Sequence, residues 1–491
     1  MYIGIDLGTS SVKTILVSID GAIIKIVSKN YDLFFPQPSW SEQNPNDWYL
    51  QTITALKELV VGYEDQIKGI SFSGQMHGLV ILDEHDQILR NAILWNDQRT
   101  TKEVEYLNNE IGIDRLLEYT GNIALTGLTA PKILWIKNNE PEIYNKIHKI
   151  MLPKDYLVYK LSGQFVSDVS DSSGTLYFDC KNKQYSPQML NILGINSSML
   201  PKVFESYEVV GLLTQEHKDL LNIKQDVKII AGGGDQAAGA VGMGIVNNGE
   251  CSISLGTSGV IFVSSDIYKV DNKNYLQSYA HANGKYHVMS VMLNAAGTIK
   301  WWNETIFNDD DYNSFYQRIS ETQIDDSVFF LPYLSGERSP INDPYAKGVL
   351  FGLAVHHKKA NIDRAVVEGV TFSLKQSFDL IVDLGVNIES VRITGGGSKS
   401  KVWAQMISDI LDVKVIKIST EEGPALGAAI LAMVGCQEYK NVNEACAAVI
   451  KLDKEFNPII ENTKKYNAKF KTYIELYPAN IKLFHNTNKF I

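Results

Sequence analysis

Short β-branched runs that end in small or polar turns alternate, along most of this chain, with stretches whose apolar residues step by three and four. Tyr2 to Ile5, Val12 to Val17 and Ile23 to Val27, with Asp20-Gly21 as a hairpin turn, predict an antiparallel three-strand meander around the loop Asp6 to Ser11. Asn44-Pro45 then opens a helix carrying Tyr49, Ile53, Leu56 and Val60 on one side, closed by Gly62. A strand, Ile67 to Phe72, runs into Gly74-Gln75-Met76-His77-Gly78, and Gly127 to Asn139 reads as a helix with Pro131 in its first turn and Ile133, Trp135 and Ile136 inward. Residues 140–225 alternate short helices and turns in which no catalytic cluster is legible. The second half repeats strand, loop and strand at Gly256 to Val263, with Asn283-Gly284 turning back into Tyr286 to Val291. Asn361 is expected to cap a long helix through Ile362, Ala365, Val366 and Val370. Val391 to Thr394 ends in Gly395-Gly396-Gly397-Ser398 before a helix from Val402 to Leu411, and the strand Val413 to Ile418 leads through Gly423-Pro424 to a small-residue helix, Ala425 to Met433. Beyond Lys440 the Lys-, Glu- and Asn-rich segments read as a solvated outer layer.

One stretch, Asp226 to Val263, stands out. The strand Val227 to Ile230 feeds three glycines that present a lone carboxylate, Asp235, among Gly, Ala and Val. Further on, Leu255-Gly256-Thr257-Ser258-Gly259-Val260 forms a tight turn whose backbone N–H groups and hydroxyls suit phosphate oxygens. Leu7-Gly8-Thr9-Ser10-Ser11-Val12 matches that turn at five of six positions, 248 residues earlier in a chain of 491. Duplication of one half explains the match better than chance.

Composition narrows the partners. With 45% hydrophobic and 21% charged residues this is an ordinary globular composition, and a net charge of −10 excludes a basic nucleic-acid groove or an anionic membrane surface. Cys180, Cys251, Cys436 and Cys446 show no disulfide framework or zinc spacing and are expected as reduced core thiols. The longest uncharged apolar run, Ala425 to Cys436, is far short of a membrane span, so a cytoplasmic protein with a small-molecule partner is expected, with a homodimer as one open assembly.

Strand, glycine loop and helix in that order, at Gly232–Gly234 and at Gly395–Gly397, is a nucleotide-binding arrangement. Gly232-x-Gly234-x-x-Ala237 also fits a dinucleotide fingerprint, but Asp235 would face the pyrophosphate and no acid follows at the ribose position. No G-x-x-x-x-G-K-S/T occurs. His77 between glycines reads as a ligand contact, while Trp95-Asn96-Asp97-Gln98-Arg99 reads equally as a ligand loop or as a helix N-cap followed by a solvated Arg. A duplicated meander with Gly-Thr loops resembles the actin-like group, leaving a sugar kinase and a slowly hydrolysing ATP switch as alternatives.

The motifs then become specific. Gly127 to Asn139 (G-x-T-x-x-K-I-x-W-I-x-N-N) and Gly348 to Glu368 (G-V-L-F-G-L, then N-I-D-R-A-V-V-E) resemble the two signatures of the FGGY carbohydrate kinases. W-S-E-Q at Trp40, G-Q-M-H-G at Gly74, W-N-D-x-R at Trp95, L-P-K-D-Y at Leu152, S-D-x-S-D at Ser167 and L-P-Y-L-S-G-E-R at Leu331 resemble its pentulose-kinase members that act on xylulose. The resemblance implies an α/β fold of two duplicated actin-like, RNase-H-like domains, here 1–246 and 247–491, with a cleft between them. It implies ATP with Mg²⁺ phosphorylating D-xylulose at its 5-hydroxyl, or a related pentulose or polyol. By the same resemblance Asp235 is the general base and Asp6 the metal-side catalytic carboxylate. Met76, His77, Trp95, Asn96, Asp235 and Gln236 face the sugar, and Thr9, Ser10, Lys13, Gly256, Thr257, Gly396, Gly397 and Ser398 face the nucleotide. Gln236 stands where many of these enzymes have Asn, and Ser339 where Thr is usual.

Overall fold

In the computed structural model, which describes residues 1–324, 327–419 and 422–487, two seven-stranded sheets follow one plan. In the first, β1 (Tyr2–Leu7), β2 (Ser11–Val17) and β3 (Ile23–Asn30) form the expected meander, and β1 also runs parallel to β4 (Gly69–Gly74). Antiparallel β5 (Val209–Leu212) edges β6 (Lys228–Ile230), which is parallel to β4, and the short β7 (Gly233–Gly234) pairs beside the end of β4. In the second sheet β8 (Cys251–Leu255), β9 (Gly259–Ser265), β10 (Gln277–Ala280) and β11 (Tyr286–Met292) make the antiparallel part. Parallel β12 (Ser390–Thr394) and β13 (Lys414–Ile418) follow β8, and β14 (Leu452–Phe456) closes the edge. The strand order β3-β2-β1-β4-β6-β5 thus recurs as β11-β9-β8-β12-β13-β14. Duplication accounts for the shared order. The last strand enters it from before the fifth in one half and from after it in the other.

Helices cover both faces. In α1 (Pro45–Leu59) the Asn44 side chain accepts from the Asn46 N–H as N-cap, Pro45 fills the first turn, and Trp48, Ile53, Leu56 and Leu59 are buried against the first sheet. Further helices are α2 (Thr129–Asn139), α3 (Pro153–Ser162), α4 (Asp235–Gly242), α5 (Lys359–Asp383), α6 (Lys401–Leu411), α7 (Gly423–Gly435) and α8 (Ile460–Thr487). Helix α5 begins two residues before Asn361, whose Oδ1 instead accepts from the Lys358 N–H at 3.0 Å within the first turn. Helix α8 is more than a solvated layer, because Tyr466, Tyr473, Leu476 and Phe484 join the second core and Lys469 pairs with Glu368 at 2.6 Å in a buried position.

Helix α7 lies beyond the expected division after Val246, yet it packs across β1 and β4 of the first sheet and crosses α4. Helix α4 in turn sends Ala240 and Met243 among Phe262, Met289 and Ile418 of the second sheet. The crossing is backbone to backbone: a methyl added at Gly427 would lie 1.8 Å from the Ala238 carbonyl oxygen, and one at Gly242 1.8 Å from that of Gly423. Burying Leu426, Ile430 and Leu431 there contributes about 1.5–3 kcal/mol each. Gly427→Ala would force the helices apart and forfeit part of that burial. Cys180, Cys251 and Cys446 are buried free thiols as expected, and Cys436 is half-buried. Among the described residues no helix is long and apolar enough to cross a membrane.

Candidate active site

Strand register brings the two carboxylates together. Asp6, Ser73 and Gly233 form one row across β1, β4 and β7, and Leu7, Gly74 and Gly234 form the next. With strands about 4.8 Å apart, the ends of β1 and β7 are separated by roughly 10 Å at the carboxyl edge of the sheet. Asp235 begins α4 immediately after that row. Gly232 makes the turn possible with a φ of 78°, and a methyl there would sit 2.3 Å from the Phe72 carbonyl oxygen. Burial and then the facing Asp6 push the Asp235 carboxyl up to about 7, while the backbone and side-chain amides of Gln236 pull it back. Burial also raises Asp6, against a hydrogen bond from Ser73 Oγ at 2.9 Å and the charge of Lys13. Lys13 itself is paired with Glu422 at 2.7 Å, and Ser10 is exposed at the tip of the turn.

On one side of these carboxylates lies the His77 loop. His77 has a φ of 69°, in the left-handed region, and its Nδ1 donates to the Gly174 carbonyl at 2.7 Å, which leaves Nε2 as an acceptor. Burial, then Lys132, drives its pKa down to about 3, so the ring is neutral. The His77 carbonyl accepts from Thr129 Oγ1 at 3.1 Å and from Lys132 Nζ at 2.7 Å. Met76 is buried against the turn that leads into Asp235, where a methyl on Gly234 would lie 2.9 Å from its Cγ. Trp95 is 44% exposed and its indole N–H donates to Thr9 Oγ1 at 3.0 Å, so that hydroxyl serves the Trp95 loop, whereas Asn96 keeps a buried Oδ1 without a partner among the described residues.

On the other side a cavity of about 890 Å³ opens against the second sheet. Gly256, Thr257, Gly396 and Gly397 line it, together with Lys300, Tyr312, Tyr316 and Lys401. Ser398 is buried next to this wall and its hydroxyl donates to the Gly395 carbonyl at 2.7 Å. The cavity falls within the size of small-molecule and cofactor sites, and apolar walls with a few convergent donors suit a nucleoside with its phosphates.

Comparison with known proteins decides the family. The models of the FGGY family of carbohydrate kinases match in both parts, the N-terminal domain over residues 1–242 and the C-terminal domain over residues 251–436. The chain belongs to the FGGY family of carbohydrate kinases. It is similar to the xylulose kinase of Staphylococcus xylosus, 37% identical over 97% of this chain and 99% of the relative, and to that of Escherichia coli (strain K12), 38% identical over 98% and 100%. The crystal structure of a xyloylose kinase from Brucella ovis superposes with a TM-score of 0.94 at 34% identity, covering 98% of this chain and 99% of that one.

Two motif groups of this FGGY kinase prove to be scaffolding for the site. Arg99 is buried, paired with Asp97 at 2.7 Å and Glu42 at 2.8 Å, and stacked 3.7 Å over Trp40, while Asp97 accepts from the Ser41 N–H at 2.6 Å. The reading of that loop as a helix cap followed by a solvated Arg is corrected: the next helix starts at Thr101 behind Thr100, Asp97 instead accepts from the Ser41 and Arg99 N–H groups, and Arg99 is paired inside the fold. Within the stretch that looked quiet, Lys154 lies buried between Asp155 at 2.7 Å and Asp168 at 3.0 Å, with Asp171 4.0 Å away. Lys154 also donates to the Ala231 carbonyl at 3.3 Å, and Ser170 Oγ accepts from the Gly234 N–H at 3.2 Å while donating to Asp168 at 2.5 Å. This cluster props the turn that presents Asp235. Its sequence signal lay in the L-P-K-D-Y and S-D-x-S-D motifs; the cavity-lining Lys300, Tyr312, Tyr316 and Lys401 had no such signal.

Proposed function

We propose that this carbohydrate kinase transfers the γ-phosphoryl group of ATP to the 5-hydroxyl of D-xylulose, with Asp235 as general base. The observation that carries the reading is the placement of Asp235, on the edge shared by the His77 loop and Asp6, with its carboxyl raised to about 7 by burial and Asp6. In the proposed step the sugar oxygen bonds to phosphorus, the bond to the β-phosphate oxygen breaks, and the hydroxyl proton passes to Asp235. Met76, His77 and Asn96 hold the sugar, and the neutral His77 Nε2 accepts from one of its hydroxyls. Gly256, Thr257, Gly396 and Gly397 hold the nucleotide. Asp6, half-buried and bonded through one oxygen to Ser73, fits Mg²⁺ binding, since that ion takes one or two carboxylates with phosphate oxygens and water. Bound there, the ion would neutralise charge on the phosphates.

A coupled ATP-consumption assay over D-xylulose, D-ribulose, L-ribulose, glycerol, gluconate and fuculose tests the substrate. The highest kcat/KM is expected on D-xylulose. A higher value on another sugar or polyol would overturn the substrate while leaving the kinase, and Gln236 is then the first position to vary.

A further inference from the structure

Lys132 is a fully buried side chain whose ammonium meets no carboxylate among the described residues. Its two hydrogen bonds go to main-chain carbonyls, His77 at 2.7 Å and Gly127 at 2.6 Å. Desolvation pulls its pKa well below the usual lysine value, with Asp97 and Arg99 the charged groups that act on it. A buried amine with neither ion pair nor solvent is costly, and methionine would fill the same volume without that cost. The position of the two acceptors explains what the amine adds. His77 is a non-glycine residue held in the left-handed region, and its peptide keeps that conformation with two donors, Lys132 Nζ and Thr129 Oγ1, on one carbonyl. Gly127 lies against the Trp95 backbone, where an added methyl would approach the Trp95 carbonyl oxygen to 2.5 Å. One amine on α2 therefore ties the His77 loop to the segment that supports Trp95 and Asn96.

We propose that Lys132, assisted by Thr129, is the positioning residue of the sugar pocket: by fixing the His77 carbonyl it aims the His77 ring, through its Gly174 contact, at the sugar. The proposal rests on the reading of His77 as a sugar contact. It predicts an effect on sugar recognition that passes through His77 and spares the nucleotide.

The test is a double-mutant cycle on the full-length enzyme with D-xylulose and ATP. Lys132→Met should raise the sugar KM about 3- to 10-fold, within what His77→Ala itself costs, and leave the ATP KM within about 2-fold, and Thr129→Val should act in the same direction more weakly, with Thr129→Ser restoring the parent value. In a His77→Ala background, Lys132→Met should add less than about 2-fold. Effects that multiply in the double variant, or equal rises in both KM values, would show a general structural role and overturn the proposal. Should Lys132→Met fail to fold, Thr129→Val and its cycle with His77→Ala carry the same decision. If His77→Ala alone leaves the sugar KM unchanged, the assignment of His77 to the sugar falls, and the inference falls with it.

Discussion

The turn at Gly8 is held by the side chains of Tyr31, Gln43, Gln75 and Trp95, whereas the duplicate turn at Gly256 is held through its carbonyls by the backbone amides of Ala295, Ala296 and Gly297. The hairpins also differ in length. Leu7 pairs with Val12, while Leu255 pairs with Gly259, so the second turn is one residue shorter. Beneath them the rows diverge in charge: Asp6 lies beside Ser73, and Ser254 beside Thr394. One ancestral turn has become two parts. The first is wired to Gln75 and Trp95 and carries the carboxylate, and the second leaves its hydroxyl and glycines along the cavity against the second sheet. The neighbours that each copy acquired, rather than the turn sequence, set its task.

Asp235→Asn breaks the comparison most severely, since it removes the proposed proton acceptor from one edge and touches nothing on the other. Turnover should fall by ~10²–10⁴ while ATP affinity measured by calorimetry stays the same. In the parent enzyme kcat/KM for the sugar should rise with pH through about 7, because the base works deprotonated, and this limb should vanish in the variant. Stability moves the other way. A carboxyl raised from 3.8 to about 7 on folding contributes stability fully below its unfolded pKa and loses it as pH climbs through the folded one. The Asn variant should therefore out-melt the parent at pH 8, with the gap shrinking as pH falls toward 4. Near-parental turnover in Asp235→Asn would place the base elsewhere.

Making the two edges alike is the next step down in effect. Asp6→Ser should keep the fold, lower kcat and raise the Mg²⁺ concentration for half activity by about 10- to 100-fold, as loss of groups around a metal typically does. Ser254→Asp should weaken ATP binding without restoring the lost activity. An unaltered Mg²⁺ titration in Asp6→Ser would mean that Asp6 only finishes β1.

Smaller changes sharpen the division of labour. His77→Ala should raise the sugar KM by about 2- to 13-fold, the value of one hydrogen bond to a neutral hydroxyl, and leave the ATP KM alone. Thr9→Val and Thr257→Val delete the same hydroxyl from the two copies of the turn. A few-fold loss is expected in each, in the sugar KM for Thr9, which holds Trp95, and in the ATP KM for Thr257. Identical kinetic signatures would erase the distinction.

Much of this was legible in the residues. Long β-branched runs gave the meander and the parallel strands nearly to their ends, and the lone acid among Gly and Ala pointed to Asp235. What escaped notice was either short or assembled from distant pieces. β7 has two residues, too few to show a period of two, β5 is only four residues long and holds a glycine, and β14 is an exposed edge with charged residues through its middle. The prop under Asp235 draws on Lys154, Asp155, Asp168 and Ser170, which two separate motifs marked as family features but which only the fold buries together as one cluster. Tyr312 and Tyr316 sit at helical spacing on a helix, Tyr312–Glu321, with Phe315 and Ile319 buried, a pattern that carries no ligand signal of its own. Helix α8 looked solvated because its apolar residues are aromatic and widely spaced among lysines.

The crossing of α7 over the first sheet also sets a timetable for biosynthesis. A ribosome completes β1, β2, β4 and β6 well before it reaches α7, and at about 5–20 residues per second the interval from Val246 to Gly435 lasts roughly 10–40 s. Throughout that interval Tyr2, Ile15, Val17 and Ile230 lack the helix that will cover them. The nascent first half is thus committed to wait, and a chain cut after Val246 would leave that surface bare and prone to stick to its own kind until the missing half is supplied.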